Sequence, residues 1–154
     1  LAKDLQNRKN ELLHLIDADT EAFNVLMDAL SARSKAKKSE DRNEIEAAEK
    51  KYYDATVCAT DIPLKVMKKI SELIQPLKRI AEIGNKNAAS DAGVGALLVE
   101  AGVKSAALNV KINLSGFADD DNYKIRTTFA MNEILTPLQK LTGEILNIVE
   151  DKIK

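Results

Sequence analysis

The 154-residue sequence has one cysteine, one histidine and no tryptophan. Lone Cys58 cannot close an internal disulfide, and with His14 as the single imidazole there is no soft-ligand set for a metal cluster. Cys58 reads as a small buried hydrophobe in a reducing compartment. Aromatic residues make up only 4% of the chain, and no alternating apolar–polar run is bounded by turn chemistry, so strands are not expected. A phosphate-binding glycine loop, a dinucleotide fingerprint and a tandem repeat are all missing. No uninterrupted apolar run approaches the ~18 residues of a membrane span, and no signal peptide opens the chain. A formal net charge of -1 argues against nucleic acid or an acidic membrane as a partner. Leu1 is not an initiator methionine, so the chain is expected to begin partway through a natural protein.

What is present is a chain that is 45% hydrophobic and 31% charged, enough to bury a core in one domain over 1–154. Its organising stretch runs from Glu82 to Asn113, which holds four of the six glycines and a dense set of alanines and serines. Gly93, Ala96, Ala101, Ser105 and Asn109 recur at helical spacing. Small residues there let a second helix backbone come close, and a helical glycine costs ~1 kcal/mol that needs such a reason. The spacing predicts a tightly packed central helix over Asp91–Asn113, with Gly84–Ser90 as a structured turn before it. Ser90 and Asp91 fit an N-cap and a first-turn carboxylate.

A first helix is expected from Ala2 to about Ser31. Leu5, Leu12, Asp19 and Leu26 recur every seven residues, beside the row Ile16, Phe23 and Leu30, and Leu15, Ala22 and Ala29 widen the face. Residues Ser31 to Asp41 read as a basic, mobile connection whose lysines are solvated. A helix from Asp41 to Ala59 should stop or kink at Pro63, and a further one from Pro63 to Ile83 should bend at Pro76. After Leu114-Ser115-Gly116-Phe117, the cluster Asp119–Asn122 should cap a final helix bent at Pro137. The architecture expected is all-α, an antiparallel bundle of about five long helices.

Three groups of residues could carry chemistry. Asp19 lies within an apolar face, whereas Asp17 is about 200° around the helix and points outward. A buried carboxylate is costly to ionise, so its pKa should rise, which suits a proton shuttle. A buried aspartate bonded to a neighbouring lysine or helix end explains the same pattern. Asn109 and Asn113 are one turn apart and face the same way, with Asn85 and Asn87 in the turn before their helix. Amides supply donors and acceptors without charge, as recognition of a polar heterocycle such as a pterin requires, although capping and inter-helix bonding use them equally. His14 falls on the solvent side of the first helix.

Five segments occur in an informative order: Leu15-Ile16-Asp17-Ala18-Asp19-Thr20-Glu21-Ala22-Phe23, Ile62-Pro63-Leu64, Ile83-Gly84-Asn85, Ser90-Asp91-Ala92-Gly93-Val94-Gly95-Ala96 and Leu108-Asn109-Val110-Lys111-Ile112-Asn113. Together they resemble the cyclodeaminase/cyclohydrolase family of folate enzymes over nearly the whole chain. The resemblance implies an all-helical, homodimeric, cytoplasmic domain that binds a tetrahydrofolate derivative, with or without a polyglutamate tail, and needs no cofactor beyond that substrate. It implies closure of 5-formimidoyltetrahydrofolate to 5,10-methenyltetrahydrofolate with release of ammonia, or methenyltetrahydrofolate hydrolysis on the same scaffold. The family's proton donor/acceptor aspartate falls on Asp19. Asn85, Ser90, Asp91, Asn109 and Asn113 would then line the folate pocket. The family's proline-glycine-rich amino-terminal turn and alanine-rich helix are not found in this chain, so part of the core and site is expected to be missing. Outside the enzyme class, a non-catalytic helical dimerisation or interaction module would also fit.

Overall fold

The structure, a computed structural model, describes residues 2–154, with side chains from Leu5 onward. Among the described residues every regular element is a helix: α1 (Ala2–Ala36), α2 (Arg42–Ser71), α3 (Ile74–Ile83), α4 (Lys86–Leu114) and α5 (Asn122–Ile153). Four are long, at 29 to 35 residues, and α3 has only 10. The expectation of five long helices is corrected to four long and one short.

Two prolines account for the difference. Pro63 does not end a helix: it lies buried inside α2, which continues to Ser71. The break comes instead at Glu72–Leu73, four residues before Pro76, where the proline ring would meet the carbonyl of residue 72. Pro76 itself occupies the first turn of α3, where a missing N–H removes no helical bond. The basic connection is also shorter than expected, since α1 reaches Ala36 and that residue is 3% exposed.

The chain divides into two compact units, Leu1–Pro63 with Asn109–Lys124, and Leu64–Leu108 with Ile125–Lys154. In the first, α1 and α2 meet along Ala22, Leu26, Ala29, Ala55, Ala59 and Ile62, with Leu15, Ala18 and Tyr52 packed on the edge. The four alanines allow close backbone approach. Arg33 pairs with Glu49 at 2.7 Å beside the short connection, so the two helices run antiparallel. Thr56 and Thr60 are buried on α2 and spend their hydroxyls on the Tyr52 and Thr56 carbonyls. Phe117 is held between Tyr53 and Tyr123, with ring centroids 5.2 and 5.1 Å away. Asp121 accepts from the Tyr123 N–H at 2.7 Å and so caps α5, as the acidic cluster suggested.

In the second unit the small residues of α4 meet large partners. Gly93 faces Val149 and Leu146, Gly95 faces Leu77, and Gly102 faces Ile70. Lys78 and Glu144 pair at 2.6 Å, and Lys152 donates to the carbonyls of Glu82 and Gly84 at the end of α3. The N-cap of α4 is Asn85, whose Oδ1 accepts from the Ala88 N–H at 2.9 Å. Ser90 and Asp91 are therefore inside the helix, which begins five residues earlier than expected. By length and composition α4 could cross a membrane, contrary to the expectation from uninterrupted runs. Its apolar character comes from alanines, valines and leucines; Ala89, Ala92, Ala96, Val99 and Val103 are buried within the protein, whereas Val94, Leu97, Leu98 and Leu108 are exposed.

The glycines differ in what a methyl group would meet. A Cβ at Gly93 would make ordinary contacts of 3.5 Å, whereas one at Gly84 would stand 2.5 Å from the Ile80 carbonyl oxygen. Gly93→Ala should raise stability by up to about 1 kcal/mol through helix propensity, while Gly84→Ala should lower it by about 1–3 kcal/mol. Urea titrations of the two variants would check this, and equal effects would contradict the packing described.

Candidate functional site

The site forms where three helix faces of the first unit meet. Asp19, Phe23 and Leu26 are spaced i, i+4, i+7 on α1, and Asn109, Ile112 and Asn113 are spaced i, i+3, i+4 on α4. With Ala59 of α2 they line an open cavity of about 200 Å³. Leu26 and Ala59 are buried and form an apolar floor, at 8% and 6% exposure. Phe23 and Ile112 stand as walls, and Asp19 and Asn109 lie at the open rim.

Asn113 is half-buried, and its Nδ2 donates to the Ala59 carbonyl at 2.9 Å. One carboxylate and two amides thus converge on a small apolar-floored recess, which can hold a flat polar ring edge-on and hold a proton beside it. The volume lies below the ~300 Å³ at which ligand cavities usually begin, so this recess suits a ring rather than an extended molecule.

The sequence expectations fare unevenly here. Asp19, Asn109 and Asn113 line one recess, a grouping that the family resemblance implied and that periodicity gave only for the two asparagines. Asp19 is not buried, however, and neither is the row expected beside it: Ile16, Phe23 and Leu30 are all exposed. The packed face of α1 is narrower than the sequence implied, consisting of Leu15, Ala18, Ala22, Leu26 and Ala29, which leaves Asp19 on its margin. Asp17 and His14 are exposed, as expected. Asn85, Ser90 and Asp91 belong to the second unit, are exposed and do not line this cavity. Asn85 is used as the cap of α4. Cys58, expected to be buried, is exposed on α2. Phe23 and Ile112 were not singled out as site residues. The signal for Phe23 was its place one turn after Asp19, on the neighbouring row.

A second recess of about 320 Å³ lies in the same unit, lined by Arg33, Glu49, Lys50, Tyr52, Tyr53, Thr56, Gly116 and Phe117. Its arginine and glutamate are already spent on each other. The Arg33 hydrogen bond holds the Glu49 carboxyl below its ordinary value, Lys37 adds to this, and the Arg33 guanidinium stacks on Tyr52 at 4.4 Å. Among the described residues no cluster of histidine, cysteine, aspartate and glutamate could hold a metal ion.

Comparison with known proteins gives the family of this all-helical chain. The formiminotransferase-cyclodeaminase family model matches residues 1–133. A methenyltetrahydrofolate cyclohydrolase of Methylorubrum extorquens is 33% identical over 145 residues, covering 94% of this chain and 67% of that protein. The formimidoyltransferase-cyclodeaminase of Gallus gallus is 27% identical over 148 residues, and the match spans 26% of its length. The formiminotetrahydrofolate cyclodeaminase of Thermotoga maritima has the same fold, with a TM-score of 0.77 at 24% identity over 99% of this chain and 69% of that one. This chain belongs to the formiminotransferase-cyclodeaminase family.

The two amides should behave differently when removed. Asn113→Ala leaves a buried carbonyl without its donor and should cost about 1–3 kcal/mol, whereas Asn109→Ala at the exposed rim should stay within about 0.5 kcal/mol. Thermal unfolding of the two variants distinguishes them.

Proposed function

We propose that this chain is a folate one-carbon enzyme that closes 5-formimidoyltetrahydrofolate to 5,10-methenyltetrahydrofolate and releases ammonia. The observation that carries the reading is the convergence of Asp19, Asn109 and Asn113 on one recess, in a chain of this family. N10 of the substrate attacks the amidine carbon, forming the new C–N bond and a tetrahedral centre. The formimidoyl group enters protonated, so the exocyclic nitrogen of the tetrahedral centre is an NH₂. Asp19 takes the proton from N10 and delivers it to that nitrogen, whose bond to carbon breaks as NH₃ leaves and the methenyl product keeps the positive charge. Asn109 and Asn113 hold the ring edge. The reaction uses no cofactor beyond the tetrahydrofolate. Asn85, Ser90 and Asp91 remain candidates for contacts with more distant parts of the substrate.

A second reading has its own support. The cyclohydrolase of Methylorubrum extorquens is 33% identical over most of both chains. Methenyltetrahydrofolate hydrolysis needs the same proton donor and acceptor, acting on an attacking water instead of N10. Absorbance-monitored turnover of both substrates separates the two reactions. Asp19→Asn should reduce kcat by about 10²–10⁴-fold while folate binding stays within a few-fold. Full activity in that variant would remove Asp19 from the mechanism, and no saturable folate binding by the wild type would favour a non-catalytic interaction module.

Asp19 as a proton shuttle requires a drier setting than the exposed rim provides, and a second copy of the chain is proposed to supply it. Phe23 at 56% and Ile112 at 67% exposure flank the recess, with Ile16 and Leu30 exposed on the same row as Phe23. An apolar margin of this kind fits an isologous contact between two copies. The protein should run as a dimer by light scattering, and Phe23→Glu should give a monomer of unchanged helicity with sharply reduced turnover. A fully active wild-type monomer would exclude this arrangement.

A further inference from the structure

Pro63 interrupts the hydrogen-bond ladder of α2 without interrupting the helix. Because it has no N–H, the Ala59 carbonyl four residues earlier loses the donor that an α-helix ordinarily supplies to it. Ala59 and Pro63 are buried, so water is a poor substitute. The donor comes from α4: Asn113 Nδ2 meets that carbonyl at 2.9 Å.

A carbonyl can only accept, so the NH₂ of Asn113 must face it and Oδ1 must face the other way. Among the described residues nothing donates to that Oδ1. Asn113 and Ala59 both line the Asp19 recess. An asparagine free to rotate could turn either end of its amide to a ligand, whereas this one is held with Nδ2 on the Ala59 carbonyl and its unpartnered Oδ1 at the other end.

We infer that Pro63 is a positioning residue that fixes the orientation of the Asn113 amide, so that the recess presents the Asn113 Oδ1 as an acceptor and favours a ring edge bearing an N–H donor there. The specificity half of this inference rests on the proposed folate reading, since it assigns the ring edge that such a substrate would present. The positioning half rests on the helix geometry alone. Pro63 touches no ligand and acts through the Ala59 carbonyl.

The test replaces the missing donor. Pro63→Ala restores an N–H to the Ala59 carbonyl and frees the Asn113 amide. A thermal-unfolding cycle over wild type, Pro63→Ala, Asn113→Ala and the double variant reads the coupling without any ligand. Removing Asn113 should lower Tm in the wild type and have little effect once Pro63 is alanine. Additive effects would overturn the positioning role.

Fluorescence titration with tetrahydrofolate then reads the polarity. Pro63→Ala should bind about tenfold more weakly, the equivalent of one hydrogen bond, despite a helix at least as stable. Adding Asn113→Asp to Pro63→Ala should restore binding, because aspartate is an isosteric acceptor and the Ala59 carbonyl no longer needs a donor. The same Asn113→Asp change alone should weaken both folding and binding, since it sets a carboxylate against that carbonyl. Wild-type affinity in Pro63→Ala would overturn the specificity role and leave the folate reading standing. Absence of tetrahydrofolate binding by the wild type would overturn both, while the unfolding cycle still decides the positioning role.

Discussion

Close backbone approach is the constraint on which this fold depends. Ala22, Ala29, Ala55 and Ala59 bring α1 against α2, and glycines bring α4 against Val149, Leu77 and Ile70. Side chains this small contribute little apolar area each, so stability has to come from contact density and from the larger residues seated between them. Ile145 and Met67, fully buried, are worth about 1.5–3 kcal/mol apiece by area. The alanine seam also bears on the recess, because Leu26 and Ala59 belong both to the seam and to the lining that Asp19 and Asn113 share.

That recess holds two opposing demands. A carboxylate that moves protons works best when water is excluded, yet Asp19 stands at an open rim beside exposed Phe23 and Ile112. The apolar margin and the proposed proton carrier, Asp19, thus occupy the same patch. Covering the margin would change the environment of Asp19 in the same step, so assembly and activity would be linked through one surface. The larger recess around Tyr52 has no comparable free groups, as its arginine and glutamate are engaged with each other.

Much of this was legible in the sequence, and the failures have physical causes. Helical periodicity gave the all-α class, the outward Asp17 and the grouping of Asn109 with Asn113, because each follows from residue spacing on one element. Burial of Asp19 did not follow. The seven-residue row that contains it extends beyond the alanine seam, and periodicity cannot tell a seam from its margin. Pro63 was misread because a lost helical bond can be replaced from another helix, and the replacement, Asn113, is 50 residues later in the sequence. Ser90-Asp91 resembled a helix start, but Asn85 caps first and no local rule ranks two eligible caps. Cys58 follows the same pattern: its residue type predicts burial, while its position on α2 leaves it exposed.

Lys152 has a consequence of another kind. Near the carboxyl-terminal end of α5 it donates to the carbonyls of Glu82 and Gly84, where α3 ends. Those carbonyls belong to the corner that leads into the Asn85 cap. Fraying of the terminal turn would therefore release the corner as well, so the two segments, 68 residues apart in sequence, share one local opening equilibrium. The last helical turn acts as a latch on the start of α4.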